Sequence, residues 1–364
     1  MNILLVKLSS LGDVVHALPV VQDIHAALPG VQVDWVAEKS FAALVALHPG
    51  VRRVIPCEIR RWRKSPLAAL TRQQWNAFKA DLRQSPYDAV IDLQGLTKSA
   101  VVARLARLGP GGKRYALANQ TDGSGYEAPT RWLADVAIRI PPRVHAVQRS
   151  RELAARALGY TPVARPDFGL KQALAHAAPG LGAPEKGART VAFVHGTSRA
   201  DKEWPQAHWL ALGRRLNAAG WQVALLSGSA AELATSQALA DALNANAGTA
   251  GGGPAGASAH SPANAVVWPL LPLDRLTRAL AGCDGVVGVD SGVSHIAVAL
   301  DLPHVQLYNF DTAWRTGPDA ACSRQASVFG QPAPDVDAVW RAWQGCLAAA
   351  SAPAAAPRPG AGAP

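Results

Sequence analysis

With 364 residues, 49% of them hydrophobic, the chain exceeds the usual size of one core and fits two domains of about 150 to 180 residues each. Its 36 lysines and arginines outnumber its 26 aspartates and glutamates, and the resulting charge of +10 favours an anionic partner such as a phosphate-rich ligand, a membrane surface or a nucleic acid. The wide spacing of the four cysteines predicts neither zinc ligands nor a disulfide framework, and the lack of a signal peptide or of an apolar run of about 18 residues predicts a cytoplasmic protein.

The first half of the chain alternates short apolar runs with segments of helical periodicity. Strands are predicted at 2–6, 31–36, 51–55 and 89–93. Helices are predicted at 14–28, 41–47, 67–83, 98–108 and 145–158. Between residues 109 and 142 glycines and prolines are scattered among polar residues, so we expect loops there and one helix near 130–136.

The same alternation restarts after residue 184. Strands are predicted at 190–194, 221–226, 265–267, 286–289 and 304–307. Helices are predicted at 206–219, 230–244, 273–281, 293–300 and 336–349. Strands that alternate with helices are typical of parallel sheets with right-handed crossovers, which makes this an α/β protein with two parallel-sheet domains.

The expected division is an N-terminal domain at 1–160, a linker at 161–184 and a C-terminal domain at 185–349. The stretch 245–263 is low in complexity and too poor in large apolar residues to order itself, so we expect a flexible insertion there. For the same reason the Ala/Pro-rich tail at 350–364 is expected to be disordered.

A strand-to-helix turn in the second domain is the centre of the predicted site. The segment 285–300 reads GVVGVDSGVSHIAVAL, in which a buried strand precedes Asp290 and apolar residues at helical spacing follow. Such turns lie at the carboxyl ends of strands, where the free N–H groups of the helix favour an anion. The alternative is an ordinary helix start, with Ser291 as N-cap and His295 closing a hydrogen bond in the core.

Two polar turns follow strands of the first domain. The loop 7–13 (KLSSLGD) ends in Asp13, which is either a general base facing a cleft or a cap of the following helix. The turn 92–99 (DLQGLTKS) faces the same sheet edge, although Lys98 can equally snorkel to solvent. Neither loop has the G-x-G-x-x-G pattern, so a nicotinamide dinucleotide site is weakly supported.

A basic cluster surrounds Trp62. Arg60, Arg61, Arg63 and Lys64 place four cations within five residues, and such charges repel one another unless an anion is present. A solvated loop is the commoner explanation for a run of this kind. A site for a carboxylated or phosphorylated ligand is the sharper hypothesis, because arginine pairs bidentately with those groups.

The second domain carries further anion-binding side chains. The loop 196–205 (GTSRADKEWP) offers the hydroxyls of Thr197 and Ser198 and the charge of Lys202 to phosphate oxygens, although its spacing is not that of a Walker A loop. Glu232, after a Ser-Gly-Ser turn, can hold a ribose hydroxyl pair or can simply be a glutamate favoured by the helix dipole.

Five separated motifs together resemble those of the bacterial heptosyltransferases of glycosyltransferase family 9. They occur in the family's order, from residue 1 to about 317: KLSSLGDVVHALP at 7–19, IRRWRKS at 59–65, DLQGLTKSA at 92–100, TSRADKEWP at 197–205 and VDSGVSHIAVAL at 289–300. The resemblance implies inverting enzymes of the GT-B fold, in which two Rossmann-like domains face a cleft.

The resemblance also implies substrates and roles. The donor would be ADP-L-glycero-D-manno-heptose, and the acceptor the Kdo of Kdo2-lipid A, reached from the cytoplasmic face of the inner membrane by a peripherally associated enzyme without cofactor or metal. The implied general base is Asp13. Implied donor-binding residues are Thr197, Ser198, Lys202, Glu232, Leu271, Asp290, Ser291, Gly292 and His295. Implied acceptor-binding residues are Arg60, Arg61, Arg63, Lys64, Gln94 and Lys98.

The chain departs from the family pattern at three of these positions. Ser198 and Ser291 stand where threonines are usual, and both keep the hydroxyl. Leu271 stands where a methionine near the adenine is expected, which leaves only a backbone contact there. Within the family, heptosyltransferase II or another member with a different acceptor is the alternative. Outside it, a non-catalytic basic α/β protein could bind nucleic acid, but it would need more aromatic residues than Trp62 in its basic patch.

Overall fold

The computed structural model describes residues 1–175, 187–245, 264–319 and 321–352, which contain two parallel six-stranded sheets. The strands of the first sheet are β1 (Asn2–Val6), β2 (Gln32–Glu38), β3 (Val51–Cys57), β4 (Tyr87–Asp92), β5 (Leu108–Leu117) and β6 (Val136–Ile138). Those of the second are β7 (Thr190–Val194), β8 (Gln222–Leu225), β9 (Ala265–Val267), β10 (Gly285–Val289), β11 (His304–Tyr308) and β12 (Gln325–Phe329).

Both sheets have the same doubly wound order. The first runs β3-β2-β1-β4-β5-β6, and the second runs β9-β8-β7-β10-β11-β12. In such sheets the strand order reverses between the first and fourth strands, and ligands bind beside the carboxyl ends of strands at that point. The predicted α/β class with two parallel sheets is therefore confirmed, and the reversal points lie between β1 and β4 and between β7 and β10.

Helices cover both faces of each sheet and bury its central strands. Those that begin in the first 175 residues are α1 (Leu11–Ala17), α2 (Pro19–Ala27), α3 (Lys39–Val45), α4 (Ile59–Trp62), α5 (Ala69–Leu82), α6 (Thr97–Leu105), α7 (Pro129–Leu133), α8 (Ala146–Leu158) and α9 (Leu170–Leu174). The later ones are α10 (Gln206–Ala218), α11 (Ala230–Asn244), α12 (Leu273–Ala281), α13 (Gly292–Ala299), α14 (Ala313–Thr316) and α15 (Val336–Ser351). Because both faces are covered, the central strands read as continuous apolar runs.

Three strands were not predicted. The expectation of loops between 109 and 142 was wrong, because β5 and β6 extend the first sheet there, and β12 forms an edge of the second sheet. The Gly-Pro-Gly-Gly start of β5 is tolerated because β6 pairs only with its last three residues, which leaves that half at the sheet edge. β12 pairs only with β11 and is partly exposed, so it lacks a fully apolar pattern.

The predicted helix at 14–28 is two helices. Pro19 has no N–H to donate into the preceding turn, and the chain divides there into α1 and α2. In addition, α1 begins at Leu11 rather than at Val14. Asp13 therefore lies inside the first helical turn, and its carboxylate accepts hydrogen bonds from the backbone N–H and the hydroxyl of Ser10, at 3.1 and 2.9 Å.

The expected domain boundaries at 160 and 185 remain a prediction, although each sheet is built from residues of one predicted domain. Apart from Ala245, the expected insertion at 245–263 lies outside the described residues. The same is true of the expected tail from residue 353 onward. Every helix in the described part of the chain is too short or too polar to cross a bilayer.

Two glycines allow the halves of the chain to meet. A Cβ at Gly12 in α1 would lie 2.7 Å from the Cδ2 of His295 in α13, and a Cβ at Gly292 would lie 2.7 Å from the Cβ of Leu11. Real Cβ atoms do not approach other atoms so closely, so any larger residue would force the helices apart. This contact places the first turn of α1 against the first turns of α13.

A buried ion pair joins α2 to α8. Arg151 donates two hydrogen bonds to Asp23, at 2.7 and 2.8 Å, and both side chains are 2% exposed or less. Each buried charge is compensated by the other, and the guanidinium also donates to the oxygens of Gln148 and Val163.

We therefore expect Asp23→Ala to destabilise the fold by about 3 to 5 kcal/mol, because it leaves a buried guanidinium without its counter-charge. The double variant Asp23→Ala/Arg151→Met removes both charges and should lose less stability than the single variant. Urea unfolding followed by circular dichroism measures both. A single variant as stable as the unmodified chain would contradict the role of this ion pair.

Candidate active site between the two sheets

The carboxyl ends of the central strands of both sheets open onto one cleft of about 640 Å³. The general base and every donor-binding residue named from the sequence line it: Asp13, Thr197, Ser198, Lys202, Glu232, Leu271, Asp290, Ser291, Gly292 and His295. They come from the loops and helix starts that follow β1, β7, β8 and β10 and from the segment before α12. The two reversal points of strand order thus face a single cavity.

Asp13 lies where the first domain meets this cleft. One carboxylate oxygen, Oδ2, is bound by Ser10 as described above, whereas Oδ1 lies 3.4 Å from the Nζ of Lys7 and 3.5 Å from a guanidinium nitrogen of Arg149. The side chain is 35% exposed, so it remains accessible from the cleft. Capping and catalysis are therefore compatible roles for this residue, one for each oxygen.

The surrounding charges keep Asp13 ionised. Burial acts to raise the pKa of its carboxyl, but the cations of Lys7 and Arg149 outweigh burial and hold the pKa well below its usual range. Burial lowers the pKa of the Lys7 ammonium, and Asp13 opposes that effect. A carboxylate in this environment is always ready to accept a proton, but it is a weak base as long as both cations face it.

The loop that carries Asp13 is held by the neighbouring turn. The side-chain oxygen of Gln94 accepts the backbone N–H groups of Leu8 and Ser9, at 3.0 and 3.1 Å. Asp92 in turn accepts the N–H of Gln94 at 2.9 Å, and burial raises the pKa of Asp92 to about 6. An acceptor-binding role for Gln94 stays a prediction, because its oxygen already serves the loop and only its amide N–H groups are free of bonds to described residues.

The donor side centres on Lys202. Its ammonium lies 2.5 Å from the Oδ2 of Asp290, which is 7% exposed, and Ser291 and Gly292 follow as the start of α13. The first-turn N–H groups of α13 therefore open into the cleft beside a lysine. This pair of features provides positive potential for a diphosphate.

Glu232 lies deeper on the donor side. Its Oε2 accepts the backbone N–H of Gly228 at 2.8 Å, and its own N–H donates to the Ser229 hydroxyl at 3.2 Å, so Ser229 is the N-cap of α11. A Cβ at Gly196 would lie 2.5 Å from the carboxyl carbon of Glu232. Glu232 thus closes the turn and faces the loop that precedes Lys202.

Buried histidines connect the two halves behind the cleft. The rings of His16 on α1 and His295 on α13 have centroids 4.2 Å apart, and that of His145 lies 6.0 Å from His16. Burial lowers the pKa of His295 to about 4, and burial together with the neighbouring His295 holds the pKa of His16 well below its usual range. Both rings are neutral at pH 7 and pack as polar aromatic groups rather than as cations.

Two of the six predicted acceptor residues line a second cavity, of about 760 Å³. Arg63 and Lys98 line it together with Trp62 and Trp75, and Lys98 Nζ also donates to the Ser9 hydroxyl at 3.1 Å. Lys98 thereby joins this cavity to the Asp13 loop. Arg60, Arg61 and Lys64 do not line it.

The basic cluster is not uniformly paired. Arg61 bonds to Glu58 at 2.7 Å, whereas the side chains of Arg60, Arg63 and Lys64 bond to no carboxylate in the described part of the chain. Burial is the largest cause of the lowered pKa of Lys98, and the charges of Arg60 and Arg63 lower it further. Three of the four cations therefore have no carboxylate partner among the described residues, and an anionic ligand at this cluster stays a prediction.

Sequence reasoning missed Lys7, His16 and Arg149, which lie beside Asp13, and Arg315, which lines the same cleft. Lys7 lay inside a quoted motif, and its position in the strand-end loop was a usable signal. Arg149 belongs to an amphipathic helix where an arginine is ordinary, and Arg315 lies in a segment without a predicted element. Only the tertiary structure brings these two guanidiniums to the cleft.

Two doubly wound sheets that face a shared cleft, with an ionised carboxylate on one side and a lysine-supported helix start on the other, define a glycosyltransferase of GT-B type. The chain belongs to glycosyltransferase family 9, the heptosyltransferases, whose family model matches residues 75–341. The resemblance seen in the sequence is thus confirmed. The alternative of a non-catalytic nucleic-acid-binding protein is wrong.

Individual relatives agree with this assignment. The chain is 40% identical over 316 residues to lipopolysaccharide heptosyltransferase 1 of Pseudomonas aeruginosa. The aligned region covers 85% of this chain and 78% of that protein. The structure of Escherichia coli heptosyltransferase WaaC with ADP superposes with a TM-score of 0.79 at 33% identity, covering 94% and 98% of the two chains. A second WaaC structure, with ADP-2-deoxy-2-fluoro heptose, has a TM-score of 0.71 at 35% identity over 84% and 88%.

We expect Asp13→Asn to keep the fold and donor binding but to lower kcat for heptose transfer by roughly 10² to 10⁴, the usual cost of losing a general base. Asparagine is the matched substitution, because its side-chain oxygen can still accept the Ser10 N–H, whereas Asp13→Ala also removes that contact. Steady-state kinetics and ADP calorimetry measure the two effects. A folded Asp13→Asn enzyme with near-normal kcat would rule out the base assignment.

Proposed function

We propose that the chain transfers L-glycero-D-manno-heptose from ADP-heptose to the Kdo of Kdo2-lipid A, a step of lipopolysaccharide inner-core synthesis. The observation that carries the proposal is the convergence of Asp13 with the donor-side motifs on one cleft. It is supported by the name of the relative from Pseudomonas aeruginosa and by the two nucleotide-bound WaaC structures.

The donor nucleotide sugar is assigned to the second domain. Thr197 and Ser198 hydrogen-bond the diphosphate, and Lys202 and the start of α13 compensate its charge, which increases on the leaving group during the reaction. Elsewhere a metal ion supplies positive potential of this kind. Glu232 holds the ribose hydroxyls, and Leu271 lies by the adenine.

The reaction is a single displacement. The acceptor hydroxyl attacks the anomeric carbon, the bond from that carbon to the diphosphate oxygen breaks, and ADP departs as the configuration inverts. The hydroxyl proton passes to Asp13 as the new bond forms. Because Asp13 is a weak base in the free enzyme, proton transfer becomes favourable only as the hydroxyl gains positive character in the transition state.

The acceptor is assigned to the first domain. Arg63 of the basic cluster and Lys98 line the second cavity, and their charge complements an anionic sugar and a phosphate-bearing lipid. Next to this cluster the side chains of Leu67 and Leu70 are 79% and 59% exposed. Cations beside exposed leucines are typical of surfaces that lie on an anionic bilayer, which supports peripheral association with the cytoplasmic face of the inner membrane.

We expect Lys202→Ala to weaken ADP binding roughly 10- to 100-fold, because the diphosphate loses a charge-assisted hydrogen bond. Arg199→Ala is the matched control, since Arg199 is a cation of the same loop that pairs with Asp201 and does not line the cleft. Calorimetry with ADP distinguishes them. An unchanged dissociation constant for Lys202→Ala, or an equal loss in both variants, would exclude the diphosphate role.

We expect Arg63→Gln to raise the KM for Kdo2-lipid A roughly 10-fold and to leave ADP affinity unchanged, because Arg63 has no carboxylate partner among the described residues. Arg61→Gln should change KM less, since Arg61 already pairs with Glu58. The wild-type acceptor KM should also rise with salt, because exposed charges are screened over about 8 Å at physiological ionic strength.

A mass-spectrometric assay of the wild-type enzyme tests the proposed acceptor. Heptosyltransferase II or another family member would use a different acceptor, so wild-type enzyme that left Kdo2-lipid A unmodified in the presence of ADP-heptose would refute the proposal. If Arg61→Gln and Arg63→Gln raised KM equally, general surface charge rather than the second cavity would govern acceptor binding.

A further inference from the structure

A short helix of the donor half reaches over to the acceptor half. α14 follows β11 of the second sheet, yet it docks on segments of the first half. The guanidinium of Arg143 stacks 4.3 Å above the ring of Trp314, and the Nε2 of His145 lies 3.0 Å from the carbonyl oxygen of Gly317, which ends the helix. Between these two contacts the side chain of Arg315 points into the cleft.

The first half makes room for Arg315. Its guanidinium donates to the carbonyl oxygen of Gly123. Gly123 has a φ of +66°, and a Cβ there would lie 2.8 Å from the guanidinium carbon of Arg315. Glycine is therefore required twice, for its backbone conformation and for the close approach. The loop around Gly123 and the side chain of Arg315 together form one wall of the cleft near Asp13.

This wall carries positive charge without a counter-charge. In the described part of the chain no carboxylate pairs with Arg315, and its Nε is buried without an acceptor. Arg149, next to it, donates to Thr121 at 3.2 Å and approaches Asp13, but its Nε also lacks an acceptor. Burial lowers the pKa of Arg149, Asp13 opposes this, and the nearby charge of Arg315 lowers it further.

We propose that Arg315 binds the carboxylate of the acceptor sugar and so completes the acceptor site from the donor half of the enzyme. This inference rests on the proposed function, in which the acceptor is a sugar acid. The anion would lie between Arg315 and Arg149 and pair with their guanidinium groups. No residue that the sequence assigned to the acceptor comes from the second half of the chain.

The acceptor carboxylate fits this position better than the donor diphosphate does. The acceptor hydroxyl must lie at Asp13 to transfer its proton, and the carboxylate of a sugar acid is only a few bonds from its hydroxyls. Arg149 approaches Asp13 to 3.5 Å, so an anion beside Arg149 is close to the reacting hydroxyl. The diphosphate has its own cation in Lys202, on the opposite side of the cleft.

Binding a carboxylate there has a consequence for the base. The cation of Arg149 contributes to the low pKa of Asp13, and an anion that pairs with Arg149 would offset part of that effect. Asp13 would then be a stronger base when the acceptor is bound than when the site is empty. The acceptor would thus help to activate the residue that deprotonates it.

The test compares Arg315→Gln with the unmodified enzyme on two acceptors, Kdo2-lipid A and the same lipid with its Kdo carboxylates converted to methyl esters. With the acid, we expect the variant to raise KM roughly 10- to 100-fold at unchanged ADP affinity. With the ester, both enzymes should perform equally poorly, because the interaction is already lost. Arg324→Gln, which removes an equal charge from the second half outside the cleft, is the matched control.

Arg143→Gln tests the structural alternative, because it loosens the docking of α14 without removing the cleft cation. Arg143→Gln should lower activity by the same factor on the acid and on the ester. If Arg315→Gln also did so, Arg315 would only hold the two halves together and would not bind the carboxylate. Weaker ADP binding with an unchanged acceptor KM would assign Arg315 to the diphosphate instead. Wild-type enzyme inactive on Kdo2-lipid A would refute the proposed function itself, and this inference with it.

Discussion

The contact between α1 and α13 is the constraint on which the site depends. Gly12 and Gly292 let two helix starts that follow different sheets approach closely, because Gly12 leaves room for the His295 ring and Gly292 leaves room for the Leu11 side chain. The first turn of α1 carries Asp13, and the first turn of α13 follows Asp290. Asp13 and the start of α13 therefore line one cavity, and a methyl group at either glycine would collide with the side chain that packs on it.

The second organising feature is an imbalance of charge. On the donor side Lys202 pairs with Asp290, and the N–H groups at the start of α13 add positive potential beside this pair. Around Asp13, by contrast, Lys7 and Arg149 share one carboxylate, and Arg315 lines the same cleft without a carboxylate partner among the described residues. An uncompensated charge in a partly buried site costs free energy, and an anionic ligand lowers that cost. The structure thus favours anions at both ends of the cleft, but among the described residues only the end near Asp13 has more cations than carboxylates.

Much of this site could be predicted from the sequence, because parallel sheets bring their strand ends together. Once the alternation of strands and helices is recognised, the loops after β1, β7 and β10 must lie near the reversal points, and Asp13, Lys202 and Asp290 follow from that placement. Arg315 could not be found in this way. It lies on a four-residue helix after an apolar strand, and its importance comes from a loop some 190 residues earlier in the chain that has no periodicity.

The fold explains why acceptor residues are harder to predict than donor residues. The donor loops belong to one sheet, so their mutual positions follow from its strand order alone. The region around Asp13 instead combines a strand-end loop, the amphipathic helix α8, and α14 from the other half of the chain. Its geometry exists only when the two halves are in contact, since Arg143 and His145 must hold α14 in place. Any motion that separates the halves would remove Arg315 from the acceptor while leaving Lys202 and Asp290 together, so acceptor affinity should respond to domain closure more strongly than affinity for ADP.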